Sequence, residues 1–408
     1  MAIGLRLLRL LACCLLAAGP LSYRSALADD PGGPIKIGLL VDMSGPLSLE
    51  TGRGDELGAR MAIEEIGGTL LGRPVVLLTA DHQNKPDVGL TIAREWVDRN
   101  GVRVITGLDN SAIALATHSL TREHDFISLV AGAGTSDLTG KACSSRGFHW
   151  THDSYSNASS IVTAAAGTGA DRWFFLTADY AFGIAQERDM SELVRKRGGT
   201  ILGSIRFPQG NADFSSFLLQ AKASGAENIG LATSSNDLAN LLKSAGEFQM
   251  LNGKQQFFAP IVAPSVIAST GLGTVRGLIT VLSYFPGLNP ETLDFGRRFA
   301  ARYNGQMPGA TNEGVYSALH HYFRAVQAAG TIDPDTVAAK MRELPVTDIV
   351  NKNARVRSDG RLMNDRYVVV IKSPEESLYP GDFFKLLRTI PANEAYRPLA
   401  EGGCVLPR

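Results

Sequence analysis

Two aromatic residues occupy an unusual place in the stretch FFLTADYAFG, residues 174–183. The apolar run that precedes them predicts a buried strand, and Tyr180 and Phe182 follow where a helix should begin. A ring at the end of a strand can contact a bound molecule over a large apolar area, and a tyrosine hydroxyl can also form a hydrogen bond there. Aromatic residues normally lie inside helices and strands, and we expect one of these two rings to pack inward against the sheet.

Loops follow the predicted strands at six places, and four of these loops are rich in Ser, Thr, Asn and Gly. The six loops span residues 43–52, 107–112, 131–138, 177–183, 232–237 and 258–265. Hydroxyl groups and unpaired backbone N–H groups at the start of a helix favour an anion, because the helix dipole is positive there. For any single loop, helix capping explains the same residues. Several such loops at the carboxyl ends of parallel strands instead predict one binding site.

The sequence contains no complete catalytic constellation. The segment AGAGTSDLTG resembles a dinucleotide fingerprint at Gly132 and Gly134, but Asp137 stands where the third glycine is required. His149 and His152 could act as metal ligands, yet a strand and the segment after it account for them more simply. Five acidic residues also follow strands, and an Asp at the start of a helix ordinarily caps it. These acids are Asp42, Asp81, Asp109, Asp179 and Asp237. We therefore predict no enzyme activity, no cofactor and no metal.

Length and charge restrict the class of protein. A chain of 408 residues is too long for one ordinary hydrophobic core and suits two lobes. The 40 basic residues balance the 40 acidic ones, so no positive field indicates nucleic acid or an anionic membrane surface as a partner. The composition is that of a globular protein, with 44% hydrophobic residues.

The N-terminal segment has the pattern of a secretory signal peptide. Arg6 and Arg9 precede a short apolar core at 10–18, and Ala-Leu-Ala at 26–28 is a cleavage signal. The apolar core is too short to span a bilayer. Cys13 could be read as a lipid-attachment cysteine, but apolar residues continue beyond it. We therefore expect residues 1–28 to be removed and the mature protein to be free and exported.

Two cysteines remain after that cleavage, Cys143 and Cys404. In an oxidising compartment an even pair of cysteines predicts a disulfide. The alternative is two buried or free thiols.

Apolar strand-like runs alternate with amphipathic helical segments along the whole chain. Near-continuous apolar strands separated by helices predict parallel sheets covered on both faces. The predicted strands are 35–42, 75–81, 102–106, 126–131, 173–177, 201–208, 228–232, 256–260, 277–283 and 367–372. The alternation restarts after FHWTHDSYSN, residues 148–157, so we predict two α/β lobes of similar build.

Several longer motifs resemble one family of exported proteins. IKIGLLVDMSGPLSLETGRGDELGARMAIEEI, ADHQNKPD, AGAGTSDLTGKAC and FFLTADYAFG are similar to segments of the branched-chain amino-acid-binding family of periplasmic solute-binding proteins. The resemblance covers essentially the whole mature chain. It implies the type I periplasmic binding protein fold, which is two Rossmann-like lobes with parallel sheets, joined by a three-strand hinge, that close around a ligand.

The resemblance also implies how the chain is divided between the lobes. The first lobe comprises residues 35–151 and is completed by about 284–360. The second comprises residues 152–283 and is completed by about 361–373. A C-terminal tail, 374–408, returns to the first lobe.

The same resemblance places the ligand contacts, and one departure from the family pattern affects the choice of ligand. The expected contacts are Leu47, Asn110, Ser111, Gly134, Thr135, Tyr180, Phe182, Ser234, Ser235 and Ile261. Amino-acid-binding members carry a glutamate for the ligand ammonium where this chain has Ile261, and an aromatic residue where it has Ser234 and Ser235. An unpaired buried ammonium would cost several kcal/mol, which favours a carboxylate without an amine. Asp179 could replace the missing glutamate, which keeps branched-chain amino acids as an alternative.

These expectations define a function and its alternatives. The leading hypothesis is a periplasmic, monomeric carrier that captures a small aromatic or aliphatic carboxylate and delivers it to the inner-membrane permease of an ABC importer. A branched-chain amino acid or an amide is the alternative ligand. A sensory subunit that docks on a receptor kinase is the alternative role, and an enzyme is the third hypothesis.

Overall fold

The computed structural model describes residues 32–166 and 171–406. The predicted signal peptide lies outside the described residues. No helix in these two ranges is long and apolar enough to cross a membrane.

Strands and helices alternate over the described residues, as the apolar pattern predicts. The strands are β1 (Ile35–Val41), β2 (Thr69–Leu70), β3 (Arg73–Asp81), β4 (Val104–Gly107), β5 (Ile127–Val130), β6 (Gly147–His149), β7 (Arg172–Ala178), β8 (Thr200–Phe207), β9 (Asn228–Ala232), β10 (Gln256–Ala259), β11 (Ile279–Leu282), β12 (Arg355–Val356), β13 (Leu362–Met363), β14 (Arg366–Ile371) and β15 (Phe384–Ile390). The helices are α1 (Arg53–Glu65), α2 (Pro86–Asp98), α3 (Ser111–Leu120), α4 (Ser154–Ala165), α5 (Ala181–Lys196), α6 (Ser215–Ala223), α7 (Ser235–Glu247), α8 (Pro264–Thr270), α9 (Leu272–Val275), α10 (Pro290–Ala300), α11 (Ala310–Ala329), α12 (Pro334–Glu343) and α13 (Ala392–Ala395).

Two sheets form the two lobes, and the predicted fold class is confirmed. The first sheet has the order β2-β3-β1-β4-β5-β6 and is parallel apart from the short β2–β3 pair. The second has the order β15-β14-β11-β10-β9-β7-β8, with β14 and β15 antiparallel to their neighbours. We call the elements that pack on the first sheet the first lobe, and those on the second sheet the second lobe.

The first lobe is completed by helices from late in the chain. Helix α11 packs closely on α1, where a Cβ at Gly58 would come within 2.4 Å of the Asn312 carbonyl oxygen. Apolar side chains of α11, among them Leu319 and Phe323, join those of β1 in one buried cluster. Trp150 donates an indole hydrogen bond of 2.8 Å to Ser317 of α11. The chain therefore returns to the first lobe after building most of the second.

The chain crosses between the lobes at three places. The first crossing joins β6 to α4, the second joins β11 to α10, and the third joins β13 to β14. At the third crossing Arg361 forms an isolated parallel β-bridge with His149 of β6. These crossings form the predicted hinge.

The C-terminal tail differs from the sequence prediction at one strand. The sequence indicated 367–372 as the last strand, whereas the structure adds β15, which pairs with β14 at the edge of the second sheet. Five consecutive residues of β15 are exposed, so it lacks the apolar alternation that identifies a half-buried strand. The lobe boundaries predicted from the family pattern remain predictions.

The predicted disulfide between Cys143 and Cys404 is confirmed, with a Cα–Cα distance of 5.6 Å. It joins the end of the tail to the segment just after the 3-10 helix Ser136–Thr139 of the first lobe. Before it, α13 packs on α4 of the second lobe. The tail is thus attached to both lobes.

Replacing both cysteines by serine should lower the free energy of unfolding. The bond closes a loop of 261 residues, for which the chain-entropy model gives at most about 5 kcal/mol. Urea denaturation of oxidised protein, reduced protein and the Cys143→Ser/Cys404→Ser variant measures the loss, and reduction should not change the variant further. Two freely alkylated thiols in protein exported to the periplasm would contradict the assignment.

Candidate functional site

A cavity lies between the two lobes and contains about 320 Å³ of empty space, part of it open to solvent. Its lining residues are Leu47, Glu50, Thr51, Asp109, Gly132, Gly134, His152, Tyr180, Phe182, Ser234, Ile261 and Thr311. All of them except Thr311 lie in the loop or first helical turn that follows a strand. The carboxyl ends of parallel strands thus meet at one cavity, which is where open α/β sheets bind ligands.

Both aromatic rings of the opening motif line the cavity. Their centroids lie 6.0 Å apart, and Phe182 lies 6.4 Å from the ring of His152. Phe182 is only 3% exposed and also belongs to the core of the second lobe, so it serves both packing and the cavity. The Tyr180 hydroxyl lies 3.5 Å from Ser234 Oγ. Burial raises the pKa of Tyr180, so its hydroxyl stays protonated and can donate.

Three of the residues expected to bind an anion do not line the cavity. The Asn110 carboxamide oxygen accepts from the N–H groups of Ala112 and Ile113, so Asn110 caps α3. Thr135 Oγ1 accepts from Asp137 N–H and caps the following 3-10 helix. Ser111 Oγ accepts from Thr135 N–H at 3.3 Å. Helix capping therefore accounts for the hydrogen bonds of Asn110 and Thr135, and Ser111 joins the two loops. The role of all three as ligand contacts remains a prediction.

Gly134 of the same loop does line the cavity. Among the hydrogen bonds of the described residues, none uses its backbone N–H as a donor. A Cβ at this position would lie 2.6 Å from the Phe182 ring and 3.1 Å from His152. Glycine is thus needed for the close approach of the two lobes.

The second-lobe loops contribute Ser234 and Ile261 to the lining, and Leu47 faces them from the first lobe. Ser235 is buried at the start of α7 with φ of 53°, and it does not line the cavity. Asp179 is also outside the lining. Its side chain is 56% exposed and lies 3.9 Å from Arg206.

The cavity instead contains two acids that the sequence analysis did not place at the ligand. Burial raises the pKa of Glu50 to about 7, Asp109 adds to this increase, and the backbone N–H of Ser235 opposes it. Burial would also raise the pKa of Asp109, but His82 at 2.6 Å and Thr51 Oγ1 hold it below its usual value. Asp109 therefore has a charged partner, whereas Glu50 has none.

No cation lines the cavity. Among the lining residues that the structure describes, none is lysine or arginine, and His152 is the only histidine. Burial lowers the pKa of His152 well below its usual value, and the charges of Arg366 and Arg361 lower it further. The imidazole is therefore neutral. The described residues also contain no group of three His, Cys, Asp or Glu side chains that could hold a metal.

The lobes are closed over the cavity. Asn236 N–H donates across the cleft to the Pro46 carbonyl oxygen at 3.2 Å. On the opposite side, Ser136 Oγ donates to Asp189 of α5 at 2.7 Å. These hydrogen bonds join the two lobes that line the cavity.

Comparison with known proteins gives consistent matches. The family model described as "Periplasmic binding protein" matches residues 34–376. The chain is 35% identical to a periplasmic binding protein of Burkholderia mallei, with a TM-score of 0.88 and coverage of 91% of this chain and 98% of that one. It is 34% identical to a structure from Burkholderia xenovorans described as a branched chain amino acid ABC transporter periplasmic ligand-binding protein, with a TM-score of 0.80 and coverage of 91% and 99%.

A third structure is a solute binding protein of an ABC transporter from Rhodopseudomonas palustris, solved in complex with 3,4-dihydroxybenzoic acid. It is 22% identical, with a TM-score of 0.79 and coverage of 88% of this chain and 98% of that one. At this identity the likeness concerns the fold.

Changing Gly134 to Ala should hinder closure without unfolding the first lobe. The added methyl group would overlap the Phe182 ring, so we expect at least about a tenfold loss of ligand affinity, equal to about 1.4 kcal/mol. Calorimetric titration and small-angle X-ray scattering measure affinity and closure. The double variant Gly134→Ala/Phe182→Leu should regain part of the affinity. Normal closure of the single variant would contradict this account of the cleft.

Proposed function

The chain belongs to the periplasmic binding protein family, and from this premise we propose that it captures a small carboxylate between its lobes and delivers it to a membrane permease. It is a substrate-binding component of an ABC transporter and not an enzyme. The observation that carries the proposal is the cavity between the lobes, which polar donors of both lobes and two aromatic rings line together. Because one chain completes the cavity, the proposed carrier acts as a monomer. Its proposed location is the periplasm, after removal of residues 1–28.

The carboxylate is proposed to bind at the Gly134 end of the cavity. The N–H of Gly134 is unpaired there among the described hydrogen bonds, and Arg361 and Arg366 lie behind the neighbouring His152, whose pKa they lower. Both guanidinium groups are fully buried. Arg361 lies 3.7 Å from the Asp153 carboxylate, which offsets part of its charge, whereas Arg366 pairs with the neutral oxygen of Asn157. The charge of Arg366 therefore favours an anion at this end without a direct ion pair.

The apolar part of the ligand is proposed to lie against the rings. Tyr180, Phe182, Leu47 and Ile261 supply most of the apolar lining, and such a lining with a few polar groups is typical of small-molecule sites. The Burkholderia xenovorans relative is described as the ligand-binding protein of a branched chain amino acid ABC transporter. The Rhodopseudomonas palustris structure contains 3,4-dihydroxybenzoic acid. Both ligand classes combine a carboxylate with an apolar body, which supports the proposed class.

Replacing the carboxylate of a ligand by its amide should weaken binding by roughly 1.5–3 kcal/mol, the range for a hydrogen bond to a charged group. A thermal-shift screen of carboxylates and amino acids identifies the compound, because a ligand at 100 times its Kd stabilises the protein by about 2.7 kcal/mol. Calorimetric titration of the acid and its amide then gives the difference. Equal affinity for the two would contradict the proposed carboxylate site.

Truncating the two rings should separate ligand contact from packing. Tyr180→Ala should raise Kd about tenfold or more with little loss of stability, because the ring is only partly buried. Phe182→Ala should weaken binding and also cost roughly 3–5 kcal/mol of stability, because Phe182 is part of the core. Titration beside thermal unfolding measures both effects. If both variants bind normally and only melt earlier, the rings are structural.

A further inference from the structure

We propose that Glu50 is a specificity-determining residue that pairs with a positively charged nitrogen of the ligand. The inference rests on the proposed function, because it requires the ligand to occupy the cavity between the lobes. Glu50 lines that cavity and is 7% exposed. It lies in the loop between β1 and α1, which is one of the six loops predicted to form the site, but no pattern singled out this residue within that loop.

Glu50 is a buried acid without a counter-charge. Its electrostatic neighbours include Asp109 and Asp55, both acids of the first lobe. The nearby cation His82 is already paired with Asp109 at 2.6 Å. Burying an ionised carboxylate without a partner is costly, and the raised pKa of Glu50 reflects that cost. A ligand cation would supply the missing charge.

The Glu50 backbone is held within the first lobe, and its carboxyl group meets a donor of the second lobe. The Glu50 carbonyl oxygen accepts hydrogen bonds from Thr311 Oγ1 at 3.0 Å and Asn312 Nδ2 at 3.2 Å. The Ser235 N–H of the second lobe stabilises the ionised carboxylate across the cleft. The loop that carries Glu50 is therefore anchored before a ligand binds, which favours precise recognition.

The cavity is electrically polarised along its length. Glu50 interacts with Tyr180, whose hydroxyl faces Ser234. From Tyr180 the rings continue to Phe182 and His152, with centroid separations of 6.0 and 6.4 Å. The buried arginines lie behind the His152 end. A ligand with a carboxylate at one end and an ammonium at the other matches this arrangement, whereas a simple carboxylate leaves Glu50 unpaired.

This inference changes the choice between the ligand classes left open by the sequence. Ile261 occupies the place of the missing family glutamate and lines the cavity. Asp179, the proposed replacement, points to Arg206 and is largely exposed. Glu50 supplies an acid from the opposite lobe instead. The absence of the family glutamate at Ile261 is therefore no longer an argument against a ligand with an amine.

Matched compounds test the proposal. Leucine and phenylalanine are compared with 4-methylpentanoate and 3-phenylpropanoate, which lack the amine, and with the corresponding 2-hydroxy acids. The wild-type protein should bind the better of the two amino acids at least tenfold more tightly than its counterparts. Glu50→Gln should remove most of that preference and change the affinity for the amine-free acid less than about threefold. Asp179→Asn is the control and should behave as the wild type.

The pH dependence provides a second readout. Below the Glu50 pKa of about 7, binding of an ammonium must displace a proton, so affinity should fall up to about tenfold per pH unit. Asp109, Asp55, His82, Tyr180 and Asp237 are the other titratable groups around this end. These groups also affect the pH dependence of affinity in the Glu50→Gln variant. The variant should therefore lose only the part of the pH dependence that Glu50 causes.

Folding of the variant is checked by its melting temperature. Because the folded-state pKa of Glu50 is raised, its ionisation destabilises the protein as pH rises from about 4.5 to 7. At pH 8 the Glu50→Gln protein should therefore melt no lower than the wild type. A large decrease would make Glu50 structural and overturn the assignment.

Four results would overturn the proposal. If the amine-free or hydroxy acids bind best, Glu50 does not select a cation, although the proposed carboxylate carrier stands. If Glu50→Gln weakens the binding of amino acids and of amine-free acids equally, Glu50 does not recognise the amine. If neither series binds, this inference falls, and the wider carboxylate screen still tests the proposed function. If amides bind as well as acids, the proposed function falls together with this inference.

Discussion

Removal of water from the cleft is the constraint on which the rest of the site depends. When two lobes close over a cavity, each polar group at its surface loses hydration and must find a partner in the protein or the ligand. Asp109 has such partners in His82, Thr51 and the Asp42 N–H. Glu50 has only the Ser235 N–H and no cation. Of these two acids in one cavity, Glu50 is therefore the one for which we propose a cationic partner on the ligand.

Closure itself depends on the small size of one residue. Gly134 allows the Phe182 ring to approach the first lobe, and hydrogen bonds on both sides of the cavity join the lobes. The same contact places an aromatic surface and an unpaired N–H next to each other. In the proposed binding mode the same groups contact the ligand and the opposite lobe, so we expect binding and closure to be coupled.

The sequence predicted the parts of the fold that periodicity determines. Apolar strands such as β1 and β9 are buried along their length, so their positions follow from composition. Strand β15 was missed because its middle residues are exposed. In the loops, residue type alone does not separate a cap from a ligand contact: Asn110 caps α3, whereas Gly134 lines the cavity. Glu50 lies in one of the six predicted loops, but no local pattern separates it from its neighbours there. Thr311 reaches the site only through the tertiary fold.

A crystal structure of the protein with its tightest-binding small carboxylate tests the central claim most directly. The account predicts closed lobes with the ligand carboxylate against the Gly134 N–H. It also predicts a ligand nitrogen within hydrogen-bond distance of Glu50, about 2.7–3.2 Å. A ligand outside this cavity, or one whose carboxylate faces Glu50 while its other end faces Gly134, would contradict the account.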